Sequence, residues 1–223
     1  MTRAGPEIGV ASTKAFSTQL AALAVFSLAL ARRGGIDEAK ERKLTHQLLE
    51  IPALIEKVLT LDPQIEQLAS HFVEHRHALF LGRGAQNAVA MEGALKLKEI
   101  SYMHAEGFAA GELKHGPIAL IEDDLPVIVV MPSPKNAATL HSKLLSNIRE
   151  IQARGAITIV IAEEGDETVR PYADHLIEIP AVPTLLQPLL SSIPMQVFAA
   201  GVAQARGYDV DKPRNLAKSV TVE

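Results

Sequence analysis

The sequence predicts an α/β protein built on a doubly wound parallel sheet and preceded by long helices. Three observations carry that reading. Compact apolar runs at 78–81, 126–131 and 157–162 are rich in Leu, Val and Ile, the pattern of strands covered on both faces, and 175–179 is a fourth strand candidate. Longer stretches with helical signals alternate with them, as the crossovers of a parallel sheet require. Hydrophobic residues make up 48% of the 223 residues and charged residues 22%, enough apolar surface for a sizeable core and too much for a disordered chain.

Taken in order, residues 12–33 contain no proline or glycine and are dominated by Ala and Leu, so a long helix capped by Ser12 or Thr13 and stopped by Gly34-Gly35 is expected. It is apolar nearly all round and therefore needs covering structure, which the few residues before it cannot supply. Asp37 opens a helix to about Leu59, broken or kinked near Pro52, and Asp62-Pro63 opens a shorter one to about Glu74. The strand 78–81 runs through Gly82-Arg83-Gly84 into a helix over 86–100. A short strand is expected at 101–105, a helix over 135–154 stopped by Gly155, and a last helix over 184–206 despite Pro188 and Pro194. Residues 207–223 form a polar tail, either solvated or folded over a site.

Several function classes are disfavoured by composition. Lys+Arg number 22 against 26 Asp+Glu, a net charge of −4 with no basic block, and aromatics make up 4%, so no nucleic-acid partner is expected. There is no cysteine, which removes disulfides, thiolate metal sites and a cysteine nucleophile and fits a reducing, cytoplasmic setting. The apolar run 20–31 falls short of the roughly 20 residues that span a bilayer, so no membrane role is expected. Ala29-Leu30-Ala31 imitates a leader-cleavage site, but Glu7 precedes it and Arg32-Arg33 follow the apolar stretch directly.

Five constellations are candidates for chemistry. Gly82-x-Gly84 after a strand is either a tight turn or, with Asn87 and Glu106, a weak dinucleotide fingerprint. Glu92, Lys96 and Glu99 share one helix face at i, i+4, i+7 and form either a solvated salt-bridge stripe or a carboxylate poised beside an ammonium group, able to move protons next to a carbonyl. His115 ends the small-residue segment 107–117, where a loop histidine is either a surface residue or an acid/base group. His71, His75 and His77 cluster without a metal-binding signature. Lys218 lies in the tail and is either solvated or a desolvated Schiff-base nucleophile.

Together, Gly5 to Ala15, Leu81 to Gly84, Glu92 to Tyr102, Gly111 to Pro117 and Asp211 to Glu223 resemble the isomerising glutamine:fructose-6-phosphate aminotransferase family, in its order and over essentially the whole chain. The resemblance implies two flavodoxin-like sugar isomerase (SIS) domains behind a glutaminase domain. Residues 1–34 would be the terminal segment and last helix of an otherwise missing first SIS domain, 35–206 the second SIS domain, and 207–223 the catalytic tail. It further implies that Lys218 forms an imine with C2 of fructose 6-phosphate, that Glu99 moves a proton between C1 and C2, and that Lys96 assists. His115, donated across a homodimer interface, would promote ring opening, while Val10, Ser12 and Ala217 would contact the sugar. No cofactor or metal enters. The family's Ser/Thr-rich phosphate loop and its glutaminase would precede Met1, so the chain alone is expected to make little glucosamine 6-phosphate. Two other readings are a non-catalytic phosphosugar-binding module and a dimerisation module. The joint presence of Lys96, Glu99, His115 and Lys218 argues against a pure sensor.

Overall fold

In the computed structural model, which describes residues 1–219, five parallel strands form one sheet in the order β2-β1-β3-β4-β5. The strands are β1 (His77–Gly82), β2 (His104–Ala109), β3 (Pro126–Val130), β4 (Ile157–Glu163) and β5 (His175–Ile179). Helices α1 (Lys14–Arg33), α2 (Glu38–Leu59) and α3 (Asp62–Ser70) precede the sheet. Then α4 (Ala85–Ser101) joins β1 to β2, α5 (Ala138–Gln152) joins β3 to β4, and α6 (Gln187–Ala205) follows β5. The order in which strands are added reverses at β1, with β2 on one side of it and β3 to β5 on the other, the doubly wound arrangement expected from the alternating pattern. Residues 220–223, the end of the expected catalytic tail, lie outside the described residues.

The alternation of side chains along each strand divides the interior into two cores. Phe80, Ile128, Ile159, Ile161 and Ile177 face α2, α3, α4 and α6. Leu79, Leu81, Val127, Val129 and Val160 face α5 and the tight helical turns Ala110–His115 and Pro117–Leu120, whose Leu113 is buried with them. This division fixes which functional side chains one chain can bring together.

Several boundaries differ from the sequence expectation. The edge strand runs 104–109 rather than 101–105, because α4 continues to Ser101 and Tyr102 caps it in the left-handed region at φ 59°. Gly107 therefore belongs to the sheet, and a Cβ there would lie 2.7 Å from the Met91 Cα of α4. Helices α5 and α6 begin at Ala138 and Gln187, later than expected. Pro52 neither breaks nor ends α2, whose Ile51 and Val58 are buried in the core shared with α6.

Helix α1 is capped differently from the expectation as well. Thr13 is its N-cap residue but its side chain makes no cap bond, and the Glu7 carboxylate accepts the Thr13 N–H instead, at 2.8 Å. Only Ala24 and Leu28 of α1 are buried, while Leu23, Val25, Phe26 and Leu30 are exposed. At 20 residues α1 is long and apolar enough to cross a membrane by length and composition alone, which counting only the run 20–31 understates.

Candidate active site

Two clusters assemble at the C-terminal end of α4. In the first, Lys96 is 3% exposed and sits between two carboxylates, 2.7 Å from Glu99 Oε2 and 3.4 Å from Glu92 Oε1. Burial and helical spacing thus decide against a solvated stripe: three charges share one largely desolvated face. Burial pushes the Glu92 carboxyl above the usual carboxylate range; Lys96 pulls against that shift and the Glu99 charge adds to it.

The second cluster is made by the tail meeting the N-terminal segment. Arg206, just past α6, donates to the carbonyls of Val73 and Ser101 at 2.8 Å each and to that of His75, tying the end of α6 to the end of α4. Tyr208 then packs on Tyr102 with ring centroids 4.7 Å apart. The Tyr102 hydroxyl accepts from the Arg214 backbone N–H at 2.7 Å, and the Arg214 guanidinium lies 4.2 Å over the same ring. Asp209 Oδ1 accepts from the N–H groups of Asp211 and Lys212, which turns the chain so that the Asp211 carbonyl takes the Val10 N–H at 3.0 Å.

Lys218 Nζ donates to the Val10 carbonyl at 3.1 Å and lies 3.6 Å from Glu7 Oε2. Glu7 also accepts from the Thr13 hydroxyl at 3.3 Å and the Ser12 hydroxyl at 3.5 Å. Burial alone would raise the Glu7 carboxyl, but the backbone N–H groups of Thr13 and Ala15 and the Lys218 charge outweigh it and hold the group below its ordinary range. Glu7 is thus a fixed anion that positions an amine.

The structure therefore joins Lys218, Val10 and Ser12 around Glu7, and joins Lys96 and Glu99 with Glu92. Tyr102 links the two groups, since it lies three residues beyond Glu99 and binds Arg214, four residues before Lys218. Among the described residues no hydrogen bond or ion pair connects Lys218 to Glu99. Ala217 is exposed.

His115 is not brought to either cluster. Its Nδ1 pairs with Glu112 at 2.8 Å and its side chain is 72% exposed. It follows Leu113, which is buried on the α5 face of the sheet, whereas α4 covers the other face. A single chain keeps the two apart.

The other sequence candidates resolve plainly. Gly82-x-Gly84 is a tight turn: a Cβ at Gly82 would meet the Gln86 carbonyl at 2.1 Å, and Gly84 has φ 61°. Glu106 is the third residue of β2, opposite Leu79, so it is not at the strand end where a ribose-binding acid belongs. Among the described residues no group of three or more His, Asp or Glu can hold a metal, His71, His75 and His77 included. Sequence reasoning assigned no role to Glu7, Tyr102 or Arg214. Glu7 is six residues ahead of the N–H it binds, outside any capping-box spacing, and the Tyr102–Arg214 contact spans 112 residues.

The SIS domain family matches residues 71–205. The chain is 70% identical over 223 residues to the protein named glutamine–fructose-6-phosphate aminotransferase [isomerizing] of Mycobacterium tuberculosis, and 61% identical over 224 residues to that of Streptomyces coelicolor. In both cases all of this chain is matched to 36% of the relative's length. Among solved structures, the C-terminal domain of glucosamine-fructose-6-phosphate aminotransferase from Francisella tularensis superposes with a TM-score of 0.87 and 42% identity, covering 95% of this chain and 59% of that one. A glucosamine-6-phosphate deaminase from Thermotoga maritima, at 24% identity and a TM-score of 0.70, shares the fold.

Proposed function

The chain belongs to the SIS domain family, and from that premise we propose that it is the isomerase portion of an enzyme that converts fructose 6-phosphate and glutamine to glucosamine 6-phosphate and glutamate. The observation that carries this reading is the docked tail, which holds the Lys218 amine against Val10 and Glu7 beside the cap of the helix bearing Lys96 and Glu99. The names of the relatives supply the substrate class.

In the proposed sequence, unprotonated Lys218 attacks C2 of the open-chain ketose, and loss of water gives an imine. The imine draws electrons from C2 more strongly than the ketone does, which acidifies the C1 hydrogen. Ammonia then displaces the Lys218 amine at C2 by transimination, which frees the lysine and leaves the substrate as the C2 imine of ammonia; Glu99 takes the C1 proton and returns it at C2, giving the 2-amino aldose. Lys96, 2.7 Å from Glu99 Oε2, orients that carboxylate and sits where it can exchange protons with sugar hydroxyls. Ammonia, supplied by a glutamine-hydrolysing region, is the amino donor.

Ring opening is assigned to His115 of a second copy, since within one chain the sheet lies between His115 and Glu99. The working form is therefore a homodimer, in a cytoplasmic setting consistent with the absence of cysteine. The exposed apolar side of α1 is where a further domain of the complete enzyme packs, and no membrane is needed to cover it. A 36% share of the relatives' length leaves the glutaminase and a phosphate-binding domain to the rest of such an enzyme. The 223 residues alone are expected to release no glucosamine 6-phosphate from fructose 6-phosphate and glutamine.

The test is solvent deuterium exchange at C1 of fructose 6-phosphate in the complete enzyme carrying this segment. Glu99→Gln is expected to slow exchange by about 100-fold or more, in line with loss of a general base. Exchange at the unaltered rate would remove Glu99 from its role.

A further inference from the structure

A cavity remote from Lys218 and Glu99 opens at the carboxyl ends of β3, β4 and β5. It has a volume of about 340 Å³ and is lined by Lys40, Lys43 and Gln47 of α2, by Lys135 and Asn136 after β3, and by Glu163 at the end of β4. The carboxyl ends of parallel strands are where open α/β sheets bind ligands.

Its electrostatics are unfinished. Glu163 is 3% exposed and its Oε1 has no hydrogen-bond partner among the described residues; the Gln47 Oε1 is also buried and unpartnered. Burial pushes the Glu163 carboxyl upward, against the pull of the Ser133 hydroxyl, Lys135 and His141 and with the push of Asp166. The obvious neighbours are otherwise engaged: His141 and Asp166 bind each other at 2.6 Å, and Lys57 of α2 pairs with Glu164 at 2.7 Å. By contrast, Lys40, Lys43 and Lys135 form no ion pair among the described residues. Three free cations thus stand beside two buried acceptors that lack donors, and a buried acceptor without a donor is costly enough to need explaining.

We propose that this cavity binds a small phosphomonoester carrying hydroxyl or amino groups, with the phosphate on Lys40, Lys43 and Lys135 and its donors on Glu163 and Gln47. The charge pattern selects this class. A bare anion would leave both acceptors unsatisfied, and a neutral polyol would leave the lysines without a counter-charge. The volume accommodates a molecule of hexose phosphate size. Occupancy would tie α2 to the sheet at the strand ends and so offers a binding event separate from turnover.

The experiment is calorimetric titration of the chain with sorbitol 6-phosphate, an acyclic polyol phosphate that has no carbonyl and forms no imine. Sorbitol and inorganic phosphate serve as separate probes. Saturable millimolar or tighter binding is expected, unchanged in Lys218→Ala, weakened at least roughly tenfold in the double variant Lys40→Ala/Lys43→Ala, and weakened several-fold in Glu163→Gln. Both lysines are exposed, so the double variant is expected to keep the native circular dichroism spectrum. Equal affinity for inorganic phosphate would reduce the site to a surface cation cluster. Binding that survives the double variant, is lost with Lys218→Ala, or never saturates would overturn the proposal.

Discussion

Replacing Lys96 by Met keeps most of the unbranched side chain and removes the charge that Glu92 and Glu99 share. In the native chain the two contacts, at 2.7 and 3.4 Å, are each worth on the order of 5 kcal/mol before desolvation at an effective dielectric near 20. Most of that is spent on burying the ammonium. What the variant loses is the neutralisation of two facing carboxylates, and removing one partner of a buried pair costs about 3–5 kcal/mol. The carboxylates retain side-chain exposures of 15% and 23%, so about 2–3 kcal/mol is the expected loss. For a chain of this length that corresponds to a fall in Tm of roughly 4–12 °C.

The loss carries a pH signature. Because the Glu92 carboxyl is raised in the folded protein, its protonated form favours folding on the acid side, and that contribution disappears as pH rises through the raised value. Without Lys96 the carboxyl rises further. The gap between native and variant should therefore narrow towards acid and widen towards neutral pH, and adding Glu92→Gln and Glu99→Gln should recover most of it. Urea unfolding followed by circular dichroism at several pH values reads all three. A pH-independent difference below about 0.5 kcal/mol would show that the three groups act as a solvated stripe and refute the reasoning.

Arg206→Ala removes a donor from three carbonyls, those of Val73, His75 and Ser101, and is expected to cost about 2–4 kcal/mol in urea unfolding and to expose residues 207–219 to protease. Glu7→Gln weakens the hold on Lys218 and on the first turn of α1, with an expected cost of about 1 kcal/mol. The native carboxyl is held low, so its stabilisation is present above the unfolded value and lost as pH falls through the folded one; the Gln variant should flatten that acid limb. Amide exchange in α1 measures it directly.

Much of the fold was legible because its signals are local. The three central strands announce themselves as uninterrupted apolar runs, Leu and Phe in β1 and Val and Ile in β3 and β4, since each is covered on both faces. β2 was misplaced for an equally local reason. Its residues His104 to Ala109 include Gly107, where Met91 of α4 approaches closely, and a single large apolar side chain, Phe108, which leaves no β-branched signature. Pro52 shows the reverse case, where packing of Ile51 and Val58 against α6 keeps a helix that local propensity would end.

The site was legible only in part. Spacing placed Glu92, Lys96 and Glu99 on one face, yet burial of Lys96 depends on neighbours remote in sequence. The positions of Lys218 and Glu7 rest on contacts spanning more than 200 residues, and no periodicity encodes those. The choice between a solvated tail and a docked one was made by Arg206, Tyr102 and Arg214, three polar or aromatic residues whose partners lie on other elements.

The most direct test of the account is borohydride trapping with fructose 6-phosphate followed by peptide mass mapping, with Lys218→Ala alongside. The account gives a hexitol-phosphate adduct confined to Lys218, lost in Lys218→Ala, and reduced when Arg206→Ala frees the tail. An adduct spread over lysines at random, or one that persists on another residue in Lys218→Ala, would contradict the assignment of Lys218 as the imine-forming group.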